Sequence, residues 1–495
     1  MRFYLDILLI TLACCMIIHS CSPGRKDEED ILVQIGEKTI TVNEFTRRAE
    51  LTPRPFYCSG SSEKDKRIIL NSLIAEKLIS LDQPEASDLG DDESFLIYLK
   101  GIREQGMRML LYEQKILNKI TIDSLELRRN FNMAGIEYLL KYYTVYDSTL
   151  AQVIPRDKNS FQQIFKQRMG EIHIPQKKIH WQDQDNPAVH RILFSKIVSP
   201  GTILGPFKTD DLGYLILQVD SVRESKVLTL SEIQERKRLV RERLKRSKAA
   251  DAWMIYINRL MANKKISFYS ETLKKVGKIF EDIYFASDSD QIESVEQSDR
   301  LSVLNTNREL MNSPFFRIGD QEWTVQDFKQ LIIAHPLIYR KSELLRQDYK
   351  FYFQKAIVDL MGDYFLTEEA YKLNLDQYVE ITRTVEMWRD ALLSKRYVKN
   401  YLNGIKSRTD YNPDLMKGDS TYLDIYTTRL IHKYKDQIRI NFPAFDQIKI
   451  TASPMMVVQS LQPHALAVPP FPQFTLRDSV ELYSNLNTAP TEFNP

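Results

Sequence analysis

The chain has 495 residues, of which 27% are charged and 43% are hydrophobic. At roughly 150 residues per domain, this length predicts about three domains. The composition is that of a globular protein and excludes a largely disordered chain or a polytopic membrane protein. Lys and Arg total 68 against 66 for Asp and Glu, which argues against a nucleic-acid binder. No GxxxxGK[ST] or GxGxxG run occurs in the sequence, which argues against a phosphate-binding loop.

The N-terminus has the features of an exported lipoprotein. Arg2 precedes an apolar run, residues 7–18, which has the length of a signal-peptide core and is short for a membrane span. The run ends in IHSC, which resembles the lipobox of bacterial lipoproteins. The resemblance implies a signal peptide over residues 1–20 and lipid on Cys21; an ordinary signal peptide with an incidental Cys21 is the alternative. Only Cys58 then remains, so no internal disulfide is expected.

Residues 21–30 are predicted to be a solvated tether that follows the lipid. Their charged stretch RKDEED resembles the export signal of Bacteroidetes surface lipoproteins. Ser22 is not the Asp that favours retention in the inner membrane. We therefore expect an outer-membrane, lipid-anchored protein, with the periplasmic face favoured over the cell surface.

Residues 35–53 (IGEKTITVNEFTRRAELTP) and residues 318–336 (IGDQEWTVQDFKQLIIAHP) are similar at a constant offset. Each segment predicts a tight turn at its Gly, a short strand and a helix start, with a Thr and an acidic residue at capping-box spacing. A duplicated module is favoured, and chance similarity of two amphipathic units is the alternative. The shared landmarks in the first copy are Ile35, Gly36, Thr41, Val42, Phe45 and Pro53, and in the second Ile318, Gly319, Thr324, Val325, Phe328 and Pro336.

Similar elements follow each copy. Long helices are predicted at about 93–118 and 376–402, and a strongly charged helix is predicted at 231–276. Residues 422–448 show the same order of helix, basic stretch and short alternating strand. The Pro-rich segment 452–495 predicts an extended tail, in which AVPPFPQF is apolar enough to dock on a surface, this protein's own being one candidate.

The first pattern of Ile-Gly turn, short strand and helix, followed by LNSLIAEKLI, resembles the chaperone domain of SurA- and PrsA-type periplasmic foldases. In that family a helical chaperone module is assembled from sequence on both sides of an inserted parvulin domain. The last third of the corresponding insert carries the most specific match, PGTI, GPF and GYLILQV in residues 200–219, with Ile216 and Val219 expected in the core. The resemblance implies a mainly α protein with an α+β parvulin-like domain and a duplicated helical chaperone module.

The predicted domains follow from this resemblance, and the linker and the tail follow from composition, since residues 286–312 are rich in Ser, Asp, Gln and Asn and residues 452–495 are rich in Pro. Their bounds are 31–126 for an N-terminal chaperone-like helical domain, 127–224 for a degenerate parvulin-like domain, 225–285 for helices that return to the chaperone domain, 286–312 for a linker, 313–451 for a second chaperone-like helical domain and 452–495 for the tail.

The parvulin-like domain departs from its family at the pocket. Tyr138 and Leu215 occupy the places of the two family histidines, which implies that prolyl isomerase activity is weak or lost. The resemblance implies a peptide-binding pocket formed by Tyr138, Phe194, Phe207 and Leu215. His173, His180 and His190 have spacings that fit no standard metal pattern, so no metal, cofactor or catalytic residue is expected.

The leading hypothesis is a lipid-anchored chaperone or foldase of the cell envelope that binds unfolded or extended polypeptide and aids the folding of outer-membrane or secreted proteins. One alternative is an active parvulin-type peptidyl-prolyl isomerase with a rebuilt pocket. A second alternative is a structural subunit of an outer-membrane assembly or secretion complex. Polypeptide clients and the membrane are the expected partners in the leading case, and nucleic acid is not.

Overall fold

The computed structural model describes residues 31–82, 93–153, 166, 174–183, 187–209, 213–285, 308–340, 344–407, 419–452, 468–480 and 483–486. The predicted signal peptide, Cys21 and tether lie outside the described residues. Within these ranges the chain is mainly helical with small sheets, as the sequence predicted. None of the helices found there is long and apolar enough to cross a bilayer.

The helices alternate with short strands along the chain. The α-helices are α1 Val42–Glu50, α2 Glu63–Leu81, α3 Glu93–Lys115, α4 Ser124–Met133, α5 Ser148–Val153, α6 Pro187–Ser195, α7 Leu230–Leu260, α8 Ser270–Phe285, α9 Arg308–Met311, α10 Val325–Ala334, α11 Arg346–Lys372, α12 Val379–Lys406, α13 Asp419–Tyr434 and α14 Phe442–Gln447.

The strands are β1 Ile31–Ile35, β2 Lys38–Thr41, β3 Ile136–Val145, β4 Gln176–His180, β5 Ile203–Lys208, β6 Tyr214–Glu224, β7 Ile266–Phe268, β8 Pro314–Ile318, β9 Gln321–Thr324, β10 Ile438–Ile440 and β11 Ser484–Asn485. They form sheets ordered β11-β10-β1-β2, β4-β3-β6-β5 and β7-β8-β9. Among these described strands, β10 and β11 pair in parallel and all other pairs are antiparallel.

Both similar segments form the predicted hairpin and helix. Gly36 and Gly319 stand in the turns with φ of 56° and 59°, a conformation that a residue without Cβ adopts at little cost. Thr324 caps α10 in a reciprocal box with Asp327. Thr41 caps α1 through the backbone N–H of Glu44 alone, because the Glu44 carboxylate pairs with a lysine elsewhere in the fold.

The chain divides into two compact units. Unit 1 comprises residues 1–92, 383–458 and 467–495, and unit 2 comprises residues 93–382 and 459–466. The division falls inside α12, so the long helix predicted at 376–402 begins in unit 2 and continues into unit 1.

Unit 1 joins the two ends of the chain. Strand β10 pairs antiparallel with β1, with Val33 opposite Ile440, and α13 packs on α2. Helix α2 is the centre of this unit, since every residue from Ile68 to Ser80 is buried. The predicted second domain, 313–451, spans both units: its residues from 383 onwards fall in unit 1, where β10, α13 and α14 complete the sheet and core that residues 31–81 begin.

Unit 2 contains the middle of the chain. The sheet β4-β3-β6-β5 is formed entirely within residues 136–224. The predicted return of 225–285 to the first chaperone-like domain would place residues 266–285 beside the hairpin at 31–41. Instead, strand β7 pairs with β8, so these residues join the hairpin at 314–324. Helix α7 does pack on α3, where Trp253 meets Tyr112 edge to face.

The predicted linker at 286–312 falls mostly on residues 286–307, which lie outside the described residues. The elements on either side of them, α8 and β8, belong to the same unit. Strand β7, just before α8, pairs with β8 in one sheet of that unit.

Candidate functional site

The four residues predicted to form a pocket in the 127–224 region share one apolar cluster. Tyr138, Phe194 and Phe207 are buried, with exposed fractions of 0%, 4% and 7%, and Leu215 packs partly buried against them. Phe207 lies opposite Leu215 across strands β5 and β6. Tyr138 meets Phe194 edge to face at 5.5 Å between ring centroids. The structure thus brings the four side chains together, but as part of a hydrophobic core.

The Tyr138 hydroxyl has both of its hydrogen-bonding roles filled inside this core. It donates to the carbonyl oxygen of Leu193 at 2.9 Å and accepts from the backbone N–H of Val198 at 3.1 Å. Burial raises the pKa of Tyr138, so the hydroxyl stays neutral. A hydroxyl that holds two backbone segments together in this way supports the fold around α6.

The described histidines of this region are also held by neighbours. His190 contacts the backbone oxygen of Trp181 at 2.9 Å and lies against the Trp181 and Phe194 rings. His180 lies 3.5 Å from the carboxylate of Glu137. His173 lies outside the described residues. In the part of the chain that the structure describes, no group of three or more His, Cys, Asp or Glu side chains is placed to hold a metal ion.

An open cleft of about 410 Å³ lies beside the same sheet. It is bounded by the start of β3, the end of β4 and the first turns of α7, and none of the four predicted pocket residues lines it. Its charged groups already have partners: Glu232 caps α7 through Thr229, and Glu235 pairs with Arg238. The cleft therefore offers a ligand little unpaired charge.

A different surface, in unit 1, binds an extended segment of polypeptide. The segment is residues 468–486 of the C-terminal region, here called the tail segment, and its described part has no helix and only the two-residue strand β11. Its side chains that enter the core of unit 1 are Phe471, Phe474, Val480 and Tyr483, each less than 10% exposed. The structure thus places the docking surface of AVPPFPQF on this protein itself.

Side chains of unit 1 donate hydrogen bonds to backbone carbonyls of the tail segment. Arg48 donates to Pro470 at 2.8 Å. The amide nitrogen of Asn71 donates to two further carbonyls, those of Arg477 at 2.9 Å and Ser479 at 3.2 Å. The two donors lie on α1 and α2. On α13, the Thr427 hydroxyl lies 3.3 Å from the carbonyl of Phe474 but closer, at 2.9 Å, to that of Leu423 in its own helix.

Asn71 is the most informative of these donors. Its side chain is fully buried on the apolar helix α2, and its amide oxygen accepts from the Tyr483 hydroxyl at 2.8 Å. Burying an amide costs free energy unless hydrogen bonds replace those to water, and here the tail segment supplies all three described partners. Sequence reasoning missed Asn71; the signal that could have indicated it is an amide near the start of the largely apolar stretch LNSLIAEKLI.

Two further contacts extend this surface. The carboxylate of Asp424 accepts from the Thr475 hydroxyl at 2.7 Å and from the backbone N–H of Leu476 at 3.3 Å. At the far end, β11 adds a parallel strand to β10, and the N–H of Leu486 donates to Ile440 at 2.9 Å. The surface therefore uses strand addition as well as side-chain donors.

Arg48 is held in position by buried ion pairs. It makes a bidentate pair with Glu76, at 2.8 and 2.9 Å. Nearby, Lys77 lies 3.0 Å from Glu44 and 3.1 Å from Asp390. Burial by itself would raise the pKa of Asp390, but the ammonium groups of Lys77 and Lys38 outweigh it and hold that pKa below its usual value. Sequence reasoning missed this network, since its members come from distant segments.

No family model matches the chain, and no curated protein or solved structure is significantly similar to it. The resemblance to periplasmic foldases thus rests on the sequence motifs alone.

Proposed function

We propose that the protein is a lipid-anchored chaperone or foldase of the cell envelope, which binds unfolded or extended polypeptide during the folding of outer-membrane or secreted proteins. In this proposal residues 127–224 are a parvulin-like domain with weak or lost isomerase activity, and the two hairpin–helix segments are a duplicated chaperone module. Polypeptide clients are its partners, and lipid on Cys21 attaches it to the outer membrane.

One observation carries this proposal: unit 1 holds an extended, proline-containing segment through hydrogen bonds to backbone carbonyls and through buried apolar side chains. A chaperone that acts without ATP needs this combination, because its clients share a backbone and apolar side chains but no sequence.

The activity is tested with the lipid-free protein, residues 22–495, and a chemically unfolded outer-membrane β-barrel protein. Light scattering after dilution from denaturant reports client aggregation. We expect the protein at equimolar concentration to suppress the scattering, whereas a non-chaperone globular protein of similar mass leaves it unchanged. Scattering that equals this control would refute the proposed function.

The anchor is tested separately in cells. Cys21→Ala should move the protein from the membrane fraction to the soluble fraction, because acyl chains supply membrane affinity. Its unfolding midpoint should not change, since the lipid contributes location and no core packing. Ser22→Ala is the matched control and should remain in the membrane fraction. Retention of Cys21→Ala in that fraction would count against lipidation at this residue.

A further inference from the structure

We propose that the surface beneath the tail segment is a binding site for extended segments of other polypeptides, and that the tail segment is its intramolecular competitor. The inference rests on the proposed function, to which it adds the location of the site, the class of ligand and a means of regulation.

The donors of this surface are indifferent to ligand sequence. Arg48 and the Asn71 amide both donate to carbonyl oxygens, which every residue carries. Proline lacks only the backbone N–H, so it is tolerated at each of these positions, and Pro470 occupies one of them. The donors therefore select an extended backbone and accept proline-rich chains.

Ligand selectivity comes from the apolar positions. Phe471 and Phe474 are three residues apart, and both enter the core of unit 1. An extended chain with three residues per turn presents such a pair on one side. Val480 and Tyr483 also enter the core, but they close a turn in which the N–H of Tyr483 donates to the carbonyl of Val480 at 3.1 Å. The ligand class is therefore an extended segment with large apolar residues at i and i+3.

In this proposal the surface keeps its own framework when the tail segment leaves. The remaining core of unit 1 is formed by β1, β2, α1, α2, α13, β10 and α14, which contact one another directly. Departure would expose this apolar face and remove the three described hydrogen bonds of Asn71. Because exposed apolar surface is unfavourable in water, the vacated site favours another chain that covers it with apolar side chains.

Tethering gives the tail segment a high effective concentration at this surface. A ligand from another protein must therefore compete with it, and weakening the tail segment should strengthen external binding. The probe is a fluorescein-labelled peptide with the sequence of residues 468–486, and anisotropy measures its affinity for lipid-free protein 22–495.

Phe471→Ala/Phe474→Ala removes two of the buried rings from the competitor but leaves every backbone contact available. We expect this variant to bind the probe at least about tenfold more tightly than the wild-type protein, because the competitor is weakened. Gln473→Ala is the matched control in the same segment, where the Gln473 side chain is exposed, and its affinity should equal that of the wild type. Equal affinity in all three folded proteins would overturn the proposal.

A second measurement needs no substitution in the protein. A probe with a photo-cross-linking residue in place of Phe474 should label α2 and α13 of the wild-type chain at saturating concentration. Labelling confined to residues 127–224 would overturn the proposal, and this measurement decides the case if the double variant fails to fold.

An unrelated proline-containing peptide with aromatic residues at i and i+3 should displace the probe, whereas a peptide of the same composition with adjacent aromatic residues should displace it poorly. Failure of both peptides would show that the site takes only its own tail and would overturn the inference. The aggregation assay could still succeed in that case, so this outcome is separable from failure of the proposed function.

Discussion

Arg48 and Glu76 form a bidentate ion pair whose side chains are 0% and 2% exposed, and the same guanidinium donates to the carbonyl of Pro470. The ion pair joins α1 to α2, and the hydrogen bond from Arg48 to Pro470 joins both helices to the C-terminal region. The ion pair therefore prearranges a donor for an extended chain, since Glu76 fixes the plane of the guanidinium.

Arg48→Met should destabilise unit 1 by about 3–5 kcal/mol, because Glu76 would remain as a buried charge without its partner. Urea unfolding followed by circular dichroism measures the change. Adding Glu76→Leu to the same chain should recover part of the loss, since no uncompensated charge remains.

Arg340→Met is the matched control, because Arg340 makes a bidentate pair with Asp359 at the surface, with side-chain exposures of 50% and 39%. Its cost should be about 1 kcal/mol or less. Equal costs for the two arginine substitutions would contradict the role given to burial.

Glu104 should make unit 2 sensitive to acid. Burial by itself would raise the pKa of Glu104, but hydrogen bonds from His335 and Tyr371 and the charges of His335 and Lys100 outweigh it and hold the pKa below 4.5. A carboxyl group whose pKa is lower in the folded state than in the unfolded state stabilises the fold at any pH above its unfolded-state pKa. This stabilisation is lost as the pH falls through the folded-state pKa.

The free energy of unfolding measured between pH 7 and pH 3 checks this expectation. Glu104→Gln should be less stable than wild type by about 1–3 kcal/mol near neutral pH, and the difference should shrink towards pH 3. Glu368→Gln, an exposed glutamate on α11, is the control and should follow the wild-type curve. A difference between Glu104→Gln and wild type that does not change with pH would refute the assignment.

Tyr138→Phe should lower the stability of the 127–224 region by about 1–3 kcal/mol, because the Leu193 carbonyl and the Val198 N–H both lose a buried partner. Thermal unfolding measures the loss. Tyr146→Phe is the control: Tyr146 is 68% exposed, and its substitution should cost about 0.5 kcal/mol or less.

The same pair of variants addresses isomerase activity. Because the Tyr138 hydroxyl is committed to the core, we expect wild-type protein and both variants to leave the rate of a proline-limited refolding reaction unchanged. Acceleration by the wild type that Tyr138→Phe abolishes, in a folded variant, would contradict this expectation and favour the active-isomerase alternative.

The division into units predicts which fragments fold. Residues 93–382 should unfold in one cooperative thermal transition, because they contain all strands of two sheets and the hydrophobic clusters around them. Residues 314–450 should show no such transition, since β10 and α13 would lack β1 and α2. Differential scanning calorimetry of both fragments compares them, and the opposite ranking would show that the division is wrong.

Local features of this protein follow from its sequence, because each depends on residues close together in the chain. Gly36 and Gly319 predicted two tight turns, Thr41 and Thr324 predicted the helix starts, and the structure has all four. Ile216 and Val219 were expected in the core, where both are fully buried.

Partner choice over long distances was decided only by the tertiary structure. Strands β7 and β10 have three residues each, so their sequences carry too little pattern to say which hairpin each joins; β7 joins β8, and β10 joins β1. The same holds for Asn71: the sequence shows an amide in an apolar helix, but its partners lie more than 400 residues away. Hydrogen bonds and strand pairings between distant segments depend on how the whole chain packs, and no local spacing encodes them.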